Sequence, residues 1–256
     1  MPLEIVIVPC LSDNYAYLAH DPQSGQTAVI DVPDAAPITE ALNARSWKAD
    51  HVLLTHHHWD HVDGLPDLRA AFPDLKVTGA KADAHRLPDL DLAVGEGDTI
   101  SIGTETGTVM DVSGHTVGHV AFYFEGSKAL FSADSLMALG CGRIFEGTPP
   151  MMWQSLSKMA ALPPETLVYS GHEYTESNAR FALTIEPENA DLISRAAQIR
   201  ALREQGEPTV PATLATELAT NPFLRAHHAE VKEAVGMANA PDDLVFAEVR
   251  ARKDSF

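Results

Sequence analysis

The sequence predicts a two-part chain: an α/β domain over residues 1–170, then a smaller α-helical domain over residues 171–256. Three observations carry that expectation. Short apolar and β-branched runs, bounded by turn residues, recur through the first part as strands do. Segments with helical spacing fall between several of them, the alternation of an α/β domain. From residue 175 onward helical stretches take over, with residues 245–249 (VFAEV) as the one remaining strand candidate.

Residues 3–8 (LEIVIV), 15–19 (YAYLA) and 27–31 (TAVID) read as strands, parted by Ser12-Asp13-Asn14 and by Asp21-Pro22-Gln23-Ser24-Gly25. Such turn-rich pieces end strands through their own backbone preferences. Residues 37–44 have helical spacing, with Ile38 and Leu42 four apart. Residues 51–54 (HVLL) form a short apolar run that suits a buried strand, and Val62, Leu65, Leu68 and Phe72 behind it follow a helical period. Strands are expected at 76–79, 97–102, 108–112, 120–124, 128–131 and 166–170, and a helix at 152–161. Residues 191–205 give the clearest later helix, with Leu192, Ala196, Ile199 and Leu202 on one face.

Composition narrows the function. Thirty-six acidic residues against 18 basic ones give a formal charge of −18, which repels nucleic acid and anionic membrane. No apolar run has the length to cross a bilayer. The start, Met1-Pro2-Leu3-Glu4, lacks the basic region of a secretory signal and reads as a first strand, so a cytoplasmic location is expected. Cys10 and Cys141 are too few for a disulfide framework and are expected as small buried residues.

Chemistry is concentrated between the 51–54 run and the helical segment after it. Thr55-His56-His57-His58-Trp59-Asp60-His61 places four histidines and an aspartate on a strand-to-helix loop. Protonated, these rings repel one another; buried and neutral, each needs a partner. A divalent metal removes both problems, because imidazole nitrogen and carboxylate oxygen are its ordinary ligands. His56 and His58 are two apart and share a face if the segment is extended. Asp60 and His61 follow where the chain turns, facing a second point, so two neighbouring metals suit the spacing better than one. Four more candidates end predicted strands: His115, His119, Asp134 and His172. His56, His58, His115 and Asp134 then make one site. Asp60, His61 and His172 make the other and share Asp134, whose two oxygens can bridge. His57 and His119 are left as packing residues or partners of the ligands. Zinc is the first expectation for both ions, with iron and manganese as alternatives.

Thr-His-x-His-x-Asp-His at 55–61 with Gly-His-Thr-x-Gly-His at 114–119 resembles the metallo-β-lactamase superfamily. Within it the chain is most similar to glyoxalase II, the hydroxyacylglutathione hydrolases. The subfamily features are Asp13-Asn14-Tyr15, residues 140–148 (GCGRIFEGT), 171–175 (GHEYT), 221–225 (NPFLR) and 249–254 (VRARKD). The resemblance spans the whole chain. It implies an αββα sandwich with a dinuclear site at one edge, followed by a helical glutathione-binding domain. It also implies that a hydroxide held by the two metals cleaves the thioester of S-D-lactoylglutathione to D-lactate and glutathione, the second step of methylglyoxal detoxification. Asp60 and His61 are the catalytic expectation, and Arg143, Tyr174, Arg250 and Lys253 the substrate contacts. A monomer acting on this small molecule is expected. Glutathione is anionic, so a −18 chain must hold it with a local basic patch. Two positions depart from the pattern: Phe145 stands where some members have Tyr, and Asp63 where the superfamily often has Gly. A lactonase would not need the residues at 143, 174, 250 and 253, and a non-catalytic metal-binding relative would have lost ligands that are kept here.

Overall fold

The computed structural model describes all 256 residues, which pack as two compact units. The first comprises residues 1–112 and 117–132, the second residues 113–116 and 133–256.

In the first unit, β1 (Glu4–Cys10), β2 (Asn14–His20), β3 (Thr27–Ile30), β4 (His51–Leu53), β5 (Lys76–Ala80) and β6 (Leu92–Val94) form one sheet in that order. β1 and β2 pair antiparallel from Glu4 opposite His20 to Cys10 opposite Asn14, through a turn in which Leu11 takes a φ of 50°. From β3 onward the pairing is parallel. Parallel neighbours need crossovers. Helix α1 (Ala35–Ala44) makes the β3–β4 crossover, while α2 (Trp59–Val62) and α3 (Leu65–Ala71) make the β4–β5 one. Asp34 caps α1 by accepting the Ala36 N–H at 2.9 Å, and Ile38 and Leu42 are its buried stripe. Every residue of β2 and β3 is buried, as in a sheet covered on both faces.

A second layer follows as an antiparallel meander: β7 (Thr99–Ile102), β8 (Glu105–Asp111), β9 (Val120–Phe124) and β10 (Ala129–Ala133). The two layers meet through aromatic rings, Tyr17 of β2 lying 5.7 Å from Phe131 of β10, which in turn lies 6.1 Å from Phe124. Burying each such ring contributes about 1.5–3 kcal/mol.

The second unit is mostly helical. A small hairpin, β11 (Leu136–Met137) with β12 (Gly140–Cys141), precedes α4 (Pro149–Ala160), β13 (Leu167–Ser170), α5 (Thr175–Ile185) and α6 (Ala190–Glu204). Then come β14 (Ala212–Thr213), α7 (Leu214–Thr220), α8 (Ala229–Ala234) and α9 (Asp242–Ser255). Residues 245–249, the strand candidate, lie inside α9. Val245, Phe246, Val249 and Arg250 are its buried residues, a helical period that outweighs the β-branched composition. Three two-residue strands of this unit escaped the sequence reading: β11 and β12, which pair with each other, and β14, which pairs with β13. The core is built on Phe181, Phe223 and Phe246, all fully buried, with neighbouring ring centroids 5.9 and 6.2 Å apart.

Candidate metal centre

In the first unit the His-rich stretch leaves β4 at its carboxyl end, the end of a parallel strand where α/β sheets present ligands. The group that organises it is Asp31, buried at the end of the neighbouring β3 with a φ of 56°. Its Oδ1 accepts the Thr55 N–H at 2.8 Å. Its Oδ2 accepts the Thr55 hydroxyl and His61 Nδ1–H, each at 2.8 Å. Having donated its hydroxyl proton, Thr55 Oγ1 accepts from His56 Nδ1 at 3.0 Å. Both rings therefore carry their proton on Nδ1, and each Nε2 presents a lone pair. That is the tautomer in which an imidazole binds metal through Nε2.

His56 Nε2 lies 3.1 Å from His58 Nδ1. Two nitrogens on one tetrahedral zinc, each bound at ~2.0–2.1 Å, are about 3.3 Å apart, so the pair fits a shared ion. His61 Nε2 and Asp60 Oδ2 are 3.9 Å apart. Asp31, His56 and His61 also bring three donor atoms within 4.8 Å of one another. Both Asp31 oxygens already accept strong hydrogen bonds, so its part is to hold the rings.

The other two histidines of the motifs in this unit point elsewhere. His57 Nδ1 is 3.0 Å from Asp83 Oδ2, while Arg86 donates to Asp83 Oδ1 at 2.9 and 2.8 Å. A Cβ on Gly118 would stand 2.1 Å from the Asp83 carboxyl carbon, so this glycine of the 114–119 motif makes room for that carboxylate. His119 stacks on His56 with rings 4.6 Å apart and 11° from parallel, and its Nδ1 lies 3.1 Å from the Val120 carbonyl.

In the second unit a single oxygen, Asp134 Oδ2, lies 3.5 Å from His115 Nε2 and 3.3 Å from His172 Nε2. All three residues are buried. His115 Nδ1–H donates to the Arg143 carbonyl at 2.7 Å, which leaves its Nε2 lone pair toward Asp134. Two acceptors at that spacing repel unless a cation lies between them, and each of the two distances again matches a pair of ligands that share an ion. Gly142 is required for this approach, because a Cβ there would come 2.0 Å from the Asp134 carbonyl oxygen.

The expected substrate contacts also lie in the second unit. Arg250 is buried; its Nη1–H donates to the Cys141 carbonyl at 2.9 Å and its Nη2–H to Asp254 at 2.8 Å, over the Phe223 ring. Arg143 is exposed, with Nε 3.7 Å from the same Asp254 oxygen. Lys253 Nζ sits 5.3 and 5.2 Å from the Phe181 and Phe256 rings, a cation held between aromatic faces. Burial, and then the nearby guanidiniums of Arg250, Arg180 and Arg143, lower its ammonium pKa to about 8. Asp254 opposes that shift only weakly. Tyr174 stacks on His172 with centroids 4.7 Å apart, and Phe145 lies 5.3 Å from the His115 ring. Three cations thus gather around one carboxylate, a local positive patch on an acidic chain. Both cysteines are buried, and burial pushes each thiol up to about 11, which keeps them protonated at neutral pH.

The 221–225 motif has a structural use. Asn221 Nδ2 donates to the Met137 and Gly140 carbonyls at 3.2 and 3.0 Å, bracing the β11–β12 hairpin. Glu217, fully buried, accepts the Leu139 N–H at 2.9 Å and is ion-paired with Arg195. The hairpin flanked by Asp134 and Arg143 is therefore held from below by α6 and α7.

Comparison with known proteins agrees along the whole chain. The family model described as metallo-beta-lactamase superfamily matches residues 14–172, and that described as hydroxyacylglutathione hydrolase C-terminus matches residues 173–256. A hydroxyacylglutathione hydrolase from Cereibacter sphaeroides is 62% identical over 256 residues, covering 100% of both chains. Another from a Jannaschia species is 64% identical over 253 residues, covering 99% of this chain and 98% of that one. A solved structure, TTHA1623 in a di-iron-bound form, is 25% identical with a TM-score of 0.61, covering 86% of this chain and 100% of that one. The chain has the metallo-β-lactamase fold followed by a C-terminal helical domain. Its His/Asp donor sets suggest a dinuclear metal site.

Proposed function

Because the chain belongs to the hydroxyacylglutathione hydrolase family of the metallo-β-lactamase superfamily, we propose that it hydrolyses the thioester of S-(2-hydroxyacyl)glutathione, S-D-lactoylglutathione first among them, to D-lactate and glutathione. The observation that carries this reading is the full-length likeness at 62–64% identity, which includes the helical segment with its basic cluster. In this reading residues 1–170 are the catalytic domain and 171–256 the glutathione-binding domain.

His56, His58 and His115 would hold one divalent ion and Asp60, His61 and His172 the other, with Asp134 shared. Zinc suits this nitrogen and carboxylate set best, and iron and manganese fit it too. Such ions, when bound, supply Lewis acidity that activates water near neutral pH and polarises a carbonyl. Asp60 orients the attacking water beside His61. The leaving group is a thiolate whose parent thiol has a pKa of ~8.5, so it departs without a dedicated acid, and none needs to be sought among the side chains. Arg143, Tyr174, Arg250 and Lys253 hold the anionic tripeptide, Lys253 and Arg143 by charge and Tyr174 through its exposed side chain. Arg250 lends its charge while bracing the Cys141 carbonyl. No helix is long and apolar enough to cross a membrane, and we place the enzyme in the cytoplasm as a monomer in methylglyoxal detoxification.

Purified protein would be assayed with S-D-lactoylglutathione, a simple lactone and a β-lactam in parallel. Thioester turnover that far exceeds the other two supports the reading. Turnover of the lactone or lactam alone would refute it while leaving the metal centre intact.

A further inference from the structure

Asp13-Asn14-Tyr15 is a motif to which the proposed reaction gives no task. Asn14 is the first residue of β2 and is buried, 4% exposed, an unusual place for a carboxamide. Its Nδ2 donates two hydrogen bonds to a single residue: to the Asp60 carbonyl at 3.0 Å and to Asp60 Oδ2 at 3.0 Å. One amide group, with its two protons in a fixed plane, thus grips the backbone and the carboxylate of the same residue. Asp60 lies in the first turn of α2, a helix of four residues whose buried side chain is His61. Its side chain is 20% exposed, so burial alone does not select its rotamer. The β1–β2 turn, with Leu11 at a φ of 50°, delivers Asn14 to this spot opposite Cys10.

We propose that Asn14 is the positioning residue for Asp60: by fixing Oδ2 and the main-chain carbonyl together it sets the plane of the carboxylate and so the direction in which Asp60 meets the metal. This rests on Asp60 being a ligand, as the proposed function has it. Where Asp31 fixes the ring tautomers, Asn14 fixes a rotamer. Partners of this kind alter metal affinity or activity by about 10–100-fold when removed.

The test is zinc retention. Zinc-loaded Asn14→Ala, Asp60→Ala, the double variant and the unaltered protein are dialysed against a graded chelator, and zinc per chain is counted. Asn14→Ala is expected to surrender one of two ions at about 10–100-fold lower chelator concentration, with the other ion held as before. In the Asp60→Ala background the same substitution should change retention no further, the signature of two residues acting through one interaction. Unaltered retention in Asn14→Ala while Asp60→Ala loses an ion would overturn the proposal and spare the ligand reading. So would a loss that persists undiminished in the Asp60→Ala background, which makes Asn14 a brace for the loop alone. Full retention in Asp60→Ala itself would sink the ligand reading and the proposal with it, and that single variant reveals it. Far-UV circular dichroism checks folding, and Asn14→Ser replaces Asn14→Ala if the alanine variant does not fold.

Discussion

The donor loop at residues 55–61 and the basic cluster at 143, 250 and 253 both prepare charge, by opposite means. In the loop, His56 and His61 are fully buried and the protons on their inner nitrogens are assigned by Asp31 and Thr55. Nothing there needs to move for the lone pairs to face outward. In the cluster, Arg143 is exposed, Lys253 is half-buried between two rings, and only Arg250 is buried, bonded to the Cys141 carbonyl and to Asp254. The lesson is that metal donors are specified by direction, which takes rigid hydrogen bonds, whereas binding an anion is specified by net charge, which tolerates softer support. Substitutions in the loop should therefore damage turnover, and those in the cluster should damage substrate affinity.

The largest expected effect is that of Asp60→Ala. Removing the carboxylate should collapse kcat for S-D-lactoylglutathione by more than the roughly 10–100-fold typical of a ligand's partner. Steady-state kinetics decides it, and near-normal turnover would break the division between loop and cluster. Next in size is Asp31→Ala, which removes no expected ligand but frees the His61 ring directly and the His56 ring through Thr55, and leaves the buried Thr55 N–H unsatisfied. It should weaken zinc binding by about 10–100-fold, read by chelator competition.

Glu217→Ala sharpens the comparison from a distance. It leaves Arg195 buried without its partner, at a cost of about 3–5 kcal/mol, and a melting curve should show a clear drop in Tm. Because Glu217 also braces the hairpin through Leu139, substrate affinity should suffer in the same variant. The smallest effect is the pH response of the cluster. Lys253 has its pKa lowered to about 8, so its ammonium is charged below that pH and neutral above it. KM for an anionic thioester should rise as pH passes 8 while kcat follows its own course, and Lys253→Met should flatten that rise. A pH-independent KM in the unaltered enzyme would show that the cluster does not work by charge.

The proposed donor set was legible because its members are consecutive or end apolar strands. His56, His58, Asp60 and His61 occur within six residues, and His115, Asp134 and His172 each close a strand-like run. What escaped the sequence depends on contacts far apart in the chain. Asp31 was read as the end of a strand, and its bonds to Thr55 and His61 span 24 and 30 residues. Asn14 stood in a quoted motif, yet its target lies 46 residues away. Arg250 was expected as a substrate contact from the family resemblance; its burial and its bond to Cys141, 109 residues distant, belong to the tertiary structure. The helix at 242–255 was obscured because Val245 and Val249 are β-branched, and β propensity yields where a helical face finds a core.

The most direct test of the central claim is a metal titration of chelator-stripped enzyme, reading S-D-lactoylglutathione hydrolysis at each step. Turnover that climbs from near zero and saturates at two zinc equivalents per chain is the predicted result. Full turnover at one equivalent, or turnover indifferent to zinc, iron and manganese alike, would contradict it.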